Sequence, residues 1–417
     1  MSTKIEFFLA NQIGGCVTVI STDTARIVID FGEELPGSEN PNRLDFDFGG
    51  VDAVFFTHYH GDHVGRIGEI PESIPIYMGE TAYKVLQNIW ERVDEEKSRQ
   101  MKQRENSGTL RFLNIACAVS VGDITVTPYT VDHSAYNAYM FLVETPDKKI
   151  LHTGDFRAHG YRGKTLLPVI EKYVRKNGKR DIDILITEGT MMTRENEEVM
   201  TEEQLKVKAE EVFAGNKHVF LICSSTNLDS LASFHNAAKE KKMNTFVYSS
   251  YLSKQFSTFS ETAGRKNSTY RFSRYYLIEP EKLLTHEKWN EPKTQAQFMR
   301  EYGFLAIIKP EDYCREFIEP FLDLNPVIVY SMWDGYLDSS KPAFNKAWDD
   351  FLKEQERKGA KVVHLHTSGH VDPDTIAEVI KAVSPREAIY PIHTENAEGF
   401  YALDIPQELK ERVVILR

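Results

Sequence analysis

The chain of 417 residues is poor in cysteine: Cys16, Cys117, Cys223 and Cys314 are its four, scattered in or beside apolar sequence and forming no CxxC pair. This argues against a thiolate zinc site and a disulfide framework, and a reducing cytoplasm is the expected location. No run of about 18 apolar residues occurs, so no membrane-spanning helix and no membrane partner are expected. The opening stretch MSTKIEFFLANQIGG lacks a long apolar segment and a small-residue cleavage site, so no signal peptide is expected. Positive charge is also in deficit: 50 Lys and Arg stand against 62 Asp and Glu, a net charge of −12. Broad adhesion to nucleic acid or anionic membrane is thereby disfavoured, although a local basic groove is not. Internal repeats and low-complexity tracts are missing.

What the chain does have is a series of apolar runs that each end in polar residues. CVTVIS, ARIVIDFG and VDAVFFTH read as strands, as do GDITVTPYTVDHS, AYMFLVE, KKILHTGDF and DIDILITEG. TAYKVLQNIWERVDEEKSRQMKQ carries Tyr83, Leu86, Ile89 and Val93 at near-helical spacing. LLPVIEKYVRKNG reads as a helix closed by Gly178. From about Met200 the rhythm changes: KHVFLICSSTN, LDSLASFHNAAKEKK and NTFVYSS form a βαβ unit, which predicts parallel strands. Residues 252–326 mix helical and irregular sequence, and no element is assigned there. NPVIVYSMWDG, a helix through AWDDFLKEQERKG, then AKVVHLHTSGH, DPDTIAEVIKAV and EAIYPIHTE complete the chain.

Histidine placement carries the chemistry. In THYHGDH, three histidines and an aspartate fall within six residues, directly after an apolar run. His58 and His60 can point at one metal from an extended turn, while Asp62 and His63 face a second position. Nitrogen and carboxylate donors suit zinc, or manganese if oxygen donors increase. Two metals roughly 3.5–4 Å apart can clamp a phosphoryl group and acidify an attacking water. His133, His364, His366, His370 and His393 fall at or near predicted strand ends, where α/β proteins build sites.

THYHGDH, followed in order by His133 in VDHS and Asp155 in HTGD, resembles the metallo-β-lactamase family of hydrolases, and IVIDFG around Asp30 is similar to that family's early strand and turn. The resemblance implies an α/β fold, an αββα sandwich with a dinuclear site at one edge. Glu188 in ILITEGT, His370 in TSGH and His393 in YPIHTE then resemble the β-CASP subgroup, the nucleic-acid-processing branch. VFLICSSTNLDSLASFHNAAKEKKMNTFVYSS is similar to the opening of the α/β insertion in ribonuclease J. The implied organisation is 1–200 as the first part of the metallo-β-lactamase domain, 201–345 as an inserted β-CASP-like domain, and 346–417 as the closing part.

By the same resemblance, His58, His60 and His133 would hold one zinc, Asp62, His63 and His393 the other, and Asp155 would bridge them. Manganese is the alternative metal. His370, bonded to Glu188, would act as general acid or contact the scissile phosphate, and Asp62 counts among the catalytic residues as well as the ligands. His366, Ser368 and Gly369 in HTSGH would cradle a phosphate. Ser225 and Asn227 in SSTN would bind a further anion at a helix N-terminus, although Ser, Thr and Asn are also ordinary N-caps. The implied activity is cleavage of single-stranded RNA, exonucleolytic or endonucleolytic, with a homodimer left open. The sequence ends soon after its last metal motif, so the further carboxy-terminal domain of ribonuclease J is not expected from it. Two alternatives stand beside RNA cleavage: hydrolysis of a small phosphodiester or other anionic ester, and a non-catalytic scaffold, which would be expected to have lost ligands that are all retained here.

Overall fold

The computed structural model describes residues 2–35, 44–175, 181–194, 199–286 and 289–416. The helix end expected at Gly178 lies outside the described residues. The chain forms two compact units, Met1–Val199 with Gly369–Arg417, and Met200–Ser368.

The apolar runs of the first unit fold into two six-stranded sheets. The first sheet contains β1 (Lys4–Phe8), β2 (Val17–Ser21), β3 (Arg26–Ile29), β4 (Ala53–Phe55), β5 (Ile76–Met78) and β6 (Leu110–Phe112), in that spatial order. The second contains β7 (Val119–Val121), β8 (Ile124–Thr130), β9 (Tyr139–Glu144), β10 (Lys149–His152) and β11 (Ile184–Glu188) in reverse spatial order, with the strand Ala388–Ile392 beside β11. Strand periodicity sends alternate side chains to opposite faces. Ile27, Ile29, Ala53 and Phe55 of the first sheet meet Phe141, Val143, Ile184 and Ile186 of the second in a shared core. Their neighbours Val28 and Val54 are fully buried too, which explains why these runs read as continuously apolar.

Helices cover the outer faces. α1 (Gly61–Val64) is a single turn; α2 (Glu80–Val93) buries Ala82, Val85, Leu86 and Trp90, and α3 (Glu95–Ser107) follows it directly. Met140, Leu142, Leu151 and Leu185 on the second sheet pack with Leu166, Ile170, Val174, Ile376 and Ile380. Leu166, Ile170 and Val174 come from α4 (Leu166–Val169) and the π-helical turn Ile170–Val174 that continues it. This is the expected αββα arrangement. The single helix predicted from Thr81 to Gln103 is instead two, because the Asp94 carboxylate caps α3 by accepting from the Lys97 N–H at 2.9 Å.

The second unit is a doubly wound parallel sheet. Its elements are α5 (Glu202–Gly215), β12 (His218–Cys223), α6 (Leu228–Glu240), β13 (Asn244–Val247), α7 (Ser250–Lys266), β14 (Tyr275–Leu277), α8 (Gln295–Tyr302) and α9 (Asp312–Ile318). A short antiparallel pair, Leu283–Leu284 with Lys293–Thr294, precedes α8. The remaining strands, β15 (Phe304–Ile308), β16 (Val327–Ser331) and β17 (Lys361–His364), complete the spatial order β14-β13-β15-β12-β16-β17, with α10 (Lys346–Arg357) leading into the last. β12 and β13 are parallel as their βαβ pattern predicts, but β15 lies between them and pairs with both. The chain then returns to the first unit through α11 (Pro373–Val383) and β18 (Ala388–Ile392), the strand beside β11. No helix among the described residues is long and apolar enough to cross a membrane.

Candidate metal centre

β8, β10, β11 and β18 all run in one direction, because β8 and β10 each pair antiparallel with β9 while β11 and β18 continue in parallel. Their carboxyl ends therefore open on one sheet edge and deliver His133, Asp155, Glu188 and His393. β4 of the first sheet ends just before Thr57 and His58, and α1 begins four residues later, so His58, His60, Asp62 and His63 follow one another into the same space. Three overlapping donor groups result, each with its ligand atoms within 4.8 Å of one another: His58, His60 and His133; Asp62, His63, Asp155 and His393; and Asp155, Glu188, His370 and His393. All nine residues belong to the first unit. His393 itself adopts a left-handed backbone, φ +49°, as does Asp30 at +61°, and such non-glycine conformations persist only where the surroundings enforce them.

Hydrogen bonds fix the direction of each ring. Asp30 accepts from the Thr57 N–H at 2.8 Å, from the Thr57 hydroxyl at 2.7 Å and from His63 Nδ1 at 2.9 Å. The Thr57 hydroxyl has thus donated its proton to Asp30 and can only accept from His58 Nδ1, 3.0 Å away. His58 Nε2 is left as a lone pair, buried and without a hydrogen-bond partner among the described residues. In the same way, the Thr190 hydroxyl donates to the His393 carbonyl at 3.3 Å and accepts from His393 Nδ1 at 2.8 Å. His393 Nε2 then faces Asp62 Oδ2 at 3.2 Å, and His63 Nε2 faces Asp155 Oδ2 at 3.1 Å. His133 donates Nδ1–H to the Gly369 carbonyl at 2.7 Å and turns Nε2 toward His60 Nδ1 at 3.1 Å. His370 Nδ1 lies 3.1 Å from Glu188 Oε2, while Glu188 Oε1 accepts from the Phe156 N–H at 2.7 Å.

The electrostatics divide the donors in two. Burial, together with the other rings, holds His58 well below the ordinary histidine value, and burial lowers His60 to about 4 and depresses His133 strongly. These three rings are neutral, with lone pairs available. For His63, burial acts downward but Asp155, Asp62 and Asp30 outweigh it and hold the ring well above its ordinary value. His393 is raised by Asp155 and by its bond to Asp62, again against burial. Burial pushes Asp62 up, yet His63 and His393 prevail and keep its carboxyl below the ordinary range. A buried lone pair on His58, three neutral rings that converge, and the carboxylates of Asp62 and Asp155 beside His63 and His393, whose extra protons a cation would displace, together form a donor set suited to divalent cations. Zinc and manganese both fit it.

The structure gathers every residue proposed from sequence as a ligand or acid, with Gly369. Ser225, Asn227, His366 and Ser368 belong to the second unit. There Asn227 caps α6 by accepting from the Ser230 N–H at 3.1 Å, and the Ser225 hydroxyl pairs with Tyr251 at 3.0 Å. The orienting partners Thr57 and Thr190 were not marked by any motif. Neither were Asp132 and Arg157, side chains at zero exposure that pair beside His133, or Arg162, which donates to the His133 carbonyl at 2.7 Å. The signal available for Asp132 was its place beside His133 in VDHS.

Comparison with known proteins bears on the family of the first part of the chain. Residues 25–215 match the model of the beta-lactamase superfamily domain. Ribonuclease J of Helicobacter pylori is 24% identical over 188 residues, 43% of this chain and 26% of the relative. The DNA cross-link repair protein pso2/snm1 of Schizosaccharomyces pombe is 30% identical over 132 residues, 30% of this chain and 21% of the relative. The chain thus spans about a quarter of the length of these curated relatives. A solved structure of a protein of unknown function from Enterococcus faecalis V583 has the same fold, with a TM-score of 0.74 at 20% identity, covering 100% of this chain and 98% of that one.

Proposed function

We propose that this chain, which carries a metallo-β-lactamase superfamily domain over residues 25–215, is a metal-dependent hydrolase of nucleic-acid phosphodiesters, with single-stranded RNA as its substrate. The observation that carries the reading is the convergence of His58, His60 and His133 beside Asp62, His63, Asp155 and His393, with the Glu188–His370 pair adjoining both Asp155 and His393. Two zinc or manganese ions held by these seven residues would neutralise phosphate charge and make a water acidic enough to attack at neutral pH. Asp30, through Thr57 and directly, keeps His58 and His63 turned inward, and Thr190 does so for His393. Glu188 occupies Nδ1 of His370, which leaves Nε2 as the ring atom that can give a proton to the departing oxygen. Gly369, His366 and Ser368 remain candidates for holding a phosphate, as do Ser225 and Asn227.

The curated relatives are named for action on RNA and on DNA, so nucleic acid is better supported than RNA alone. The discriminating experiment supplies the zinc- or manganese-loaded protein with 5′-phosphorylated single-stranded RNA, DNA of the same sequence, and bis-p-nitrophenyl phosphate. Chelator-sensitive cleavage of the RNA in preference to the other two supports the proposal. Preference for DNA changes the substrate, and turnover of bis-p-nitrophenyl phosphate alone replaces the nuclease by a hydrolase of small phosphodiesters.

A further inference from the structure

Gly369 is the residue at which the chain re-enters the first unit. Its carbonyl accepts the Nδ1–H of His133 at 2.7 Å, and His133 has no exposed surface. A carbonyl cannot donate, so this one contact decides which nitrogen of His133 carries the proton and leaves Nε2 as the lone pair facing His60. A side chain at the position requires Ser134 to move: a Cβ on residue 369 would stand 2.6 Å from the Ser134 hydroxyl oxygen and 3.2 Å from Ser134 Cβ. The next residue, His370, reaches Glu188.

We infer that Gly369 is a positioning residue: its carbonyl sets the tautomer and direction of His133, and thereby ties the metal held by His58, His60 and His133 to the placement of His370. The inference rests on the two-metal reading above. It is specific to one metal, because the rings of the other group take their direction elsewhere, His63 from Asp30 and His393 from Thr190. Ser134 crowds the position, so a larger residue displaces either Ser134 or the 369 backbone, and the tie weakens where the backbone moves.

The test titrates metal-free protein with Zn2+ against a chromophoric chelator, for wild type, Gly369→Ala and the double variant Ser134→Gly/Gly369→Ala, with circular dichroism as the check on folding. Wild type should yield two dissociation constants. Gly369→Ala should raise one of them by roughly 10–100-fold, the usual effect of losing a partner behind a ligand, and leave the other unchanged. The double variant, which makes room for the new methyl group, should recover most of that loss. The wild-type protein supplies a variant-free check: its histidine 15N spectrum should have the proton of His133 on Nδ1 and zinc on Nε2. Unchanged constants in Gly369→Ala, equal weakening at both metals, failure of the folded double variant to recover, or a proton on Nε2 of His133 would each overturn the inference alone. A wild-type protein that takes up fewer than two zinc ions overturns the two-metal reading and the inference with it.

Discussion

At the scale of single residues, the site separates histidines that are already neutral from histidines that must give up a proton. Metal binding at Asp62, His63, Asp155 and His393 displaces protons from the raised rings of His63 and His393, so affinity there should climb as pH rises through neutrality. The group of His58, His60 and His133 has no such proton to lose; with His60 depressed to about 4, its affinity should hold until the solution becomes strongly acidic. Zinc titrations at about pH 6, 7 and 8, spanning the ordinary histidine range, measure the difference. The sign reverses for the stability of the metal-free fold. His63 has a folded value above its unfolded 6.5, so its contribution is full below that pH and is lost as pH rises through the raised value. Urea denaturation of chelator-treated protein should therefore give a midpoint that falls with increasing alkalinity. Asp30 is not among the proposed ligands yet directs two of their histidines, His63 directly and His58 through Thr57. Asp30→Ala should weaken zinc binding by roughly 10–100-fold in a chelator competition, with the fold retained by circular dichroism.

At the scale of elements, the turn after β8 is held by charge buried in the protein. The Asp132 and Arg157 side chains have zero exposure, and the Gly160 N–H donates to the same carboxylate at 2.7 Å. Arg157→Met leaves that carboxylate short of a charged partner and should cost about 3–5 kcal/mol in urea denaturation, with the His133 turn loosened first. The sequence announces strand ends well, because apolar runs that stop at polar groups such as His58, His133, Asp155 and His393 mark where the buried strand gives way to a loop. It announces pairing order poorly. β15 enters between β12 and β13 through contacts made some sixty residues downstream of β13, and nothing local to either strand encodes that. Asp94 was hidden for another reason: the helical spacing around it continues unbroken, and its capping role appears only with the backbone geometry. Thr57 and Thr190 were equally hidden, since threonine at a strand end is common and only its hydrogen bonds reveal that it orients a ring.

At the scale of the whole molecule, every proposed metal ligand, and the Glu188–His370 pair beside them, belongs to the unit formed by Met1–Val199 with Gly369–Arg417, even though His370 and His393 stand more than 200 residues after Asp155 in sequence. Metal should therefore slow hydrogen exchange in the turns after β4, β8, β10 and β18, and leave the parallel sheet of β12–β17 comparatively unaffected; uniform protection of both units would contradict this. The most direct test of the central claim is the anomalous scattering of crystals grown with Zn2+. The account predicts two peaks roughly 3.5–4 Å apart, one among His58, His60 and His133, the other among Asp62, His63 and His393, with Asp155 between them. A single peak, or peaks elsewhere on the chain, would contradict it.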